Sequence, residues 1–108
     1  MKTFKNIRFT PCNDVQGVKG KITINGQVVS IISGLHTQGT KIDSPSVRDH
    51  VWFEVAIWES NDPSKWTTKK WLSGAMGVEF PIKAFMNRRQ INKLLKRIDS
   101  WKFSNRIL

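Results

Sequence analysis

Along the first thirty-odd residues the apolar positions come in short runs close to period two, the pattern of strands. Phe4, Ile7 and Phe9 make an irregular first run, broken by the turn chemistry of Pro11-Cys12-Asn13-Asp14. Lys21-Ile22-Thr23-Ile24 alternates polar with apolar, Asn25-Gly26 is the strongest two-residue hairpin signal, and Gln27 to Ile32 returns. Residues 33–50 then form a long polar connection with two glycines and a proline. A connection of that length is uncommon inside a compact domain and is usually functional or disordered. Its Lys41, Arg48 and His50 would be free to reach a ligand, unless the segment is only a solvated loop.

Val51 to Glu59 has strand composition with alternation, and Asn61-Asp62-Pro63-Ser64 is turn chemistry. Lys65 to Leu72 reads as the returning strand. Ser73 to Gly77 breaks it, and Val78 to Ile82 is expected as a last, edge strand, where Pro81 is tolerated. The C-terminus is helical. Asn87 and Gln90 are spaced as a capping box, and Ile91, Leu94, Leu95, Ile98 and Trp101 fall on one apolar stripe. Together these predict an α+β fold, an antiparallel β-sheet of about five strands with one C-terminal amphipathic helix packed on one face. The expected organisation is a single domain over 1–108, β-rich over 1–82 and helical over about 87–101.

Charge changes the picture most. Eighteen Lys and Arg stand against eight Asp and Glu, a net charge of +10 and a pI near 10.3. Neutralising phosphates with release of counterions is the usual physical use of such an excess. Hydrophobic residues make up 39%, enough for a core. The basic Met1-Lys2-Thr3-Phe4-Lys5 is followed by polar residues, so no secretory signal is read, and no apolar run is long enough to span a bilayer. With Cys12 as the single cysteine, an intrachain disulfide is excluded and a reducing, cytoplasmic location is expected.

If the second hairpin turns tightly and pairs Ser60 with Lys65, then Glu59 faces Trp66, Ile57 faces Thr68, Ala56 faces Lys69 and Glu54 faces Trp71. One face then carries Val51, Phe53, Val55, Ile57 and Leu72, a wall for the helix to cover. The other carries Trp52, Trp58 and Trp71 with Glu54, Thr67 and Lys69. Indoles interleaved with cations suit a platform on which bases stack while lysines meet the phosphates. The expected mechanism is electrostatic capture by Lys65, Lys69, Lys70, Arg88 and Arg89, followed by stacking on Trp52, Trp58 and Trp71. Arg88 and Arg89 oppose the helix dipole, which fits an anionic partner. The competing structural reading puts these tryptophans in the core or in a homodimer seam.

Catalysis is not expected. No phosphate-binding glycine loop and no GxGxxG occurs. Cys12, His36 and His50 are not at paired-ligand spacing, so neither a metal nor a cofactor is expected. A Cys12–His36 pair, or His50 with Asp49, Glu54 and Glu59, would be the candidate chemistry. The strand glutamates are more simply paired with Lys69 or Lys70 across the hairpin.

The order of parts from residue 51 onward has a counterpart: Trp52 to Glu59, Asn61 to Ser64, Lys65 to Leu72, Gly77 to Ile82 and Asn87 to Trp101. It resembles the single-stranded-DNA-binding domain of the positive-cofactor-four type transcriptional coactivators, which also occurs in some phage proteins. That resemblance covers roughly residues 51–102 and rests on no diagnostic motif. It implies a dimer joined through its helices that grips single strands on curved sheets. The first fifty residues depart from the family pattern. An OB-type single-strand binder is a second comparison, which the long C-terminal helix fits less naturally.

The expected partner is therefore single-stranded DNA or RNA, or another polyanion. The alternative is a small phage or mobile-element interaction module that inhibits a host protein by covering its acidic surface. Membrane attachment through the basic amphipathic helix Asn87 to Trp101 is a third possibility.

Overall fold

Asn25 and Gly26 both adopt positive φ, 50° and 77°, the geometry that a type I′ hairpin turn requires. In a computed structural model, which describes residues 2–107 and the side chains of 2–101, this turn joins β2 (Gly17–Ile24) to β3 (Gln27–Gly34). The register runs from Ile24↔Gln27 to Gly17↔Gly34 without a shift. Outside this pair lies β1 (Thr10–Cys12), and on the other side β3 pairs with β4 (Phe53–Glu59). The far side of β4 is shared. β5 (Asp62–Trp66) takes one end of it and β6 (Lys83–Met86) takes the other, so an antiparallel sheet of six strands results.

Alternation sorts the two faces. Ile22, Ile24, Val29, Ile31, Phe53, Val55 and Ile57 point to one side and are buried. On them lies α2 (Arg88–Ile107), whose Ile91, Leu94, Leu95 and Ile98 are at most 1% exposed. The expected stripe is therefore the packed face of the helix. Its start is a reciprocal box: Gln90 N–H donates to Asn87 Oδ1 and Asn87 N–H to Gln90 Oε1, each at 2.9 Å. The hairpin tip is tied to the same helix, since Asn25 Nδ2 donates to the carbonyls of Ile98 and Asp99.

Several expected elements take other forms. Phe4 to Phe9 is not a strand but a 3-10 turn, Phe4–Asn6, and an extended lead into β1. Phe4 N–H donates to Asn92 Oδ1 and the Phe4 ring meets Phe53 at 5.3 Å, so core packing overrides the alternation. Of the expected connection over residues 33–50, Ser33 and Gly34 close β3, and the rest is irregular apart from a 3-10 turn, Val47–Asp49, but fastened down. Thr40 Oγ1 accepts the N–H groups of Val51 and Trp52, and Glu54 accepts that of Gln38. His50 is fully buried, with Nδ1 2.7 Å from Ser33 Oγ and Nε2 3.0 Å from the Ser44 carbonyl. Of the three side chains expected to be free, only Lys41 and Arg48 are exposed. The Val78 to Ile82 strand reduces to a single bridge, Met76↔Ile82; the strand proper is β6.

The largest correction is the returning strand. β5 stops at Trp66, and Thr68–Trp71 is a short helix, α1. The register opposes Trp66 to Trp58, one residue from the expected Glu59, with a bulge before Glu59↔Asp62. The turn is drawn in by Asp62, whose carboxylate accepts from the N–H and hydroxyl of Ser64. Those bonds hold its pKa below the usual carboxylate range, with Lys65 adding to the effect. In place of a strand, two threonines plug the gap between β5 and β6. Thr67 N–H donates to the Ile57 carbonyl at 2.7 Å, and buried Thr68 Oγ1 accepts Ile57 N–H at 3.0 Å. Thr68→Val keeps the shape but orphans that N–H, so a loss of about 1–3 kcal/mol is expected in urea denaturation. An unchanged midpoint would show that the hydroxyl is not the plug.

Candidate functional site

No described element packs over the central part of the sheet face opposite α2, and the registers give its rows. One runs Lys21, Ser30, Ala56; the next runs Thr23, Val28, Trp58, Trp66. The Trp58 and Trp66 rings lie 5.3 Å apart, and Phe80 meets Trp66 edge-on at 5.4 Å. Three aromatic side chains thus form a continuous row from β4 across β5 onto the loop that follows α1. Both indoles are half-buried and Phe80 is 65% exposed. Phe80 belongs to a small hairpin closed by two backbone bonds between Met76 and Ile82.

Cations flank this row. Arg8, Thr10, Lys19, Lys21, Ser30 and Trp58 line a groove of about 420 Å³. Lys19 and Lys21 alternate with buried residues along β2, so the pleat aims both at this face. Gly20 lies between them on the inner side, where a Cβ would come 2.6 Å from the Ile7 side chain; its smallness lets the chain before β1 pass close. Two strand spacings, about 10 Å, separate β2 from β4, and along β2 Lys21 and Lys19 lie one and two rows from the Trp58 row. Small Ser30 and Ala56 continue the Lys21 row across the sheet, beside Val28 and Trp58 of the next. The result is an aromatic row on one side, ammonium and guanidinium groups on the other, and a shallow floor between.

A scan of family models finds no match, and no curated protein or solved structure matches the chain. The site must be read from its own geometry.

The residues expected from the sequence divide. Trp58 lies on the open face as expected. Trp52, 40% exposed, precedes β4, and its backbone bonds to Thr40, beyond the β3–β4 pairing. Trp71 is a correction: it is 5% exposed, set edge-on to Trp101 at 5.5 Å, with Nε1 bonded to Gln27 Oε1. No base can stack on it. The helical turn that replaced the strand rotated it off the face. Lys65 lies on β5 and Lys69 on α1, both exposed, while the Lys70 ammonium sits 4.1 Å from the Trp101 ring centroid, on the helix side. Arg88 is also corrected. Its guanidinium donates to the carbonyls of His50 and Val47 and stacks near Phe4 and Phe53, which ties residues 47–50 to α2. Arg89 is exposed, but on the helix. Glu54 takes the Gln38 N–H rather than a lysine.

The sequence reading missed Trp66, Phe80, Arg8, Lys19 and Lys21. The lysines had a signal, since both sit on the polar side of a strand already recognised. Trp66 was lost to a one-residue shift of register.

Proposed function

We propose that the protein is a binding module without catalytic activity and that its ligand is single-stranded nucleic acid, held on the open face of the sheet. The observation that supports this is the row Trp58–Trp66–Phe80 set across a narrow floor from Arg8, Lys19 and Lys21. Aromatic rings accept any base by stacking, and the cations meet the phosphates. Half-buried rings are pre-positioned, so little side-chain entropy is lost on binding. A duplex hides the faces of its bases and gains only the electrostatic part. The order of parts shared with the coactivator domain points to the same ligand class, although here a helix replaces the second half of the returning strand. Such a ligand is met in the cytoplasm.

The test is a tryptophan-fluorescence titration with an oligothymidylate and a duplex of equal length. Single strands are expected to quench the emission and bind more tightly than the duplex. Trp58→Ala is expected to weaken binding roughly tenfold to a hundredfold, the equivalent of about 1–3 kcal/mol for one lost stack. A folded protein that shows neither quenching nor salt-sensitive binding would remove this reading.

One observation favours a second reading. Met76 and Val78, 75% and 95% exposed, crown the small hairpin beside Phe80. Exposed apolar side chains of this kind suit a protein surface, either an acidic host protein or a second copy of this chain. Under that reading Val78→Asp abolishes complex formation with the protein partner and leaves oligonucleotide binding untouched.

A further inference from the structure

The helix that covers the inner side of the sheet has an outer face of its own. There Arg89, Lys93 and Lys96, joined by Lys2 from the chain start, line a shallow groove of about 470 Å³ with Thr3 and Asn92. Residues 88–107 include seven Lys and Arg against one acid, Asp99, whose backbone carbonyl takes the Asn25 amide at the far side. Among the described residues no hydrogen bond or ring contact engages the charged side-chain groups of Arg89, Lys93 or Lys96; the Lys96 backbone carbonyl takes the Ser100 hydroxyl. Arg88 and Arg97, by contrast, have structural partners in the carbonyls of His50, Val47 and Trp71.

This pattern works against the helix. Arg89 opposes the dipole at the N-terminus. Arg89 with Lys93, and Lys93 with Arg97, stand four residues apart as like-charge pairs, and Lys93 with Lys96 three apart. The first turn contains no acidic residue to relieve them. The three cations have no anionic partner within the fold among the described residues, whereas a polyanion would turn their repulsion into attraction.

We propose that this face is a second site for the phosphate backbone of a polynucleotide, so that one molecule holds two strands, one on each side of the sheet. A rise of 1.5 Å per residue sets Arg89 and Lys96 about 10 Å apart along the axis. Along a duplex axis that corresponds to about three nucleotide steps of one strand, at about 3.4 Å each. The groove that Arg89, Lys93 and Lys96 share is lined by no aromatic residue, Trp101 standing on the other side of Lys93 and Lys96, so this site grips the backbone without stacking and accepts duplex as readily as single strand. Ile91, Leu94, Leu95 and Ile98 hold α2 against the inner side, which aims the two sites in opposite directions. Holding two strands at once rests on the sheet-face reading; the helix site by itself does not.

The test uses donor-labelled and acceptor-labelled oligothymidylates, which cannot pair with each other, mixed with the full chain. Energy transfer reports two strands on one particle, and sedimentation gives strands per chain. The unaltered protein is expected to show energy transfer and two strands per chain at saturation. The exposed double variant Lys93→Glu/Lys96→Glu is expected to lose energy transfer at least tenfold and to hold one strand, with tryptophan quenching unchanged within twofold. Undiminished transfer in that variant, or one strand per chain in the unaltered protein, overturns the two-strand arrangement. If quenching is absent, a labelled duplex separates the two ideas. Retention by the unaltered chain and loss by the double variant support the helix site alone, and equal binding by both refutes it.

Discussion

Trp71→Ala is expected to destabilise the protein by about 3–5 kcal/mol, whereas Trp66→Ala costs about 1 kcal/mol or less. The contrast follows from position. Trp71 is buried in the angle between α1 and α2, with its Nε1 on Gln27 Oε1, an oxygen that also accepts the Thr67 hydroxyl at 2.6 Å. Arg97 donates to its carbonyl at 3.0 Å. Removing the indole opens a cavity and strips a partner from Gln27, itself buried. Trp66 loses mainly its contacts with Trp58 and Phe80 on an open face. Guanidinium denaturation of the two variants checks this, and oligothymidylate titration gives the reverse ranking: Trp66→Ala impairs binding, while Trp71→Ala, where still folded, does not. Equal stability losses would mean that the open-face row is core after all.

Neutralising Arg8, Lys19 and Lys21 together, each to Gln, is expected to lower the affinity for oligothymidylate roughly a hundredfold at about 0.1 M salt. Each phosphate contact on a single strand contributes about 0.7 to the slope of log K against log salt, so three contacts account for about 2. The slope should therefore become shallower by about 2, and the variants should converge at high salt. Lys65→Gln/Lys69→Gln serves as the comparison, because those side chains stand outside the groove that Lys19 and Lys21 line. A larger loss from the comparison pair than from the triple variant would move the phosphate path to the β5 side.

What the sequence made legible depended on how local the determining interaction is. The Asn25-Gly26 turn, the β2–β3 register and the cap at Asn87 are fixed by residues within a few positions of one another, and each appears as expected. The apolar stripe of α2 is legible for the same reason. Trp71 and Trp66 were misplaced because their faces depend on a bulge at Trp58/Glu59 and on a helical turn at Thr68. Those features are set by threonines reaching across to Ile57, which no periodicity records. Arg88 looked like a free cation because its acceptors, the carbonyls of Val47 and His50, lie about forty positions upstream and belong to backbone. Trp58 was placed correctly, since its face follows from the buried Val55 and Ile57 alone.

The way the sheet ends bears on self-association. β1 is three residues long and includes Pro11, which has no N–H to offer; β5 includes Pro63. Beyond β1, the Thr23 carbonyl on the free margin of β2 is taken by the Lys2 ammonium, and on β6 the Phe85 N–H is taken by Gln38. Each margin is short, proline-bearing or already occupied, the devices by which natural sheets resist templating another chain. A peptide seeking to join as an extra strand meets these interruptions at the described margins. Under the proposed reading, recognition then falls to the surfaces of the sheet and helix, and the margins do not compete for it.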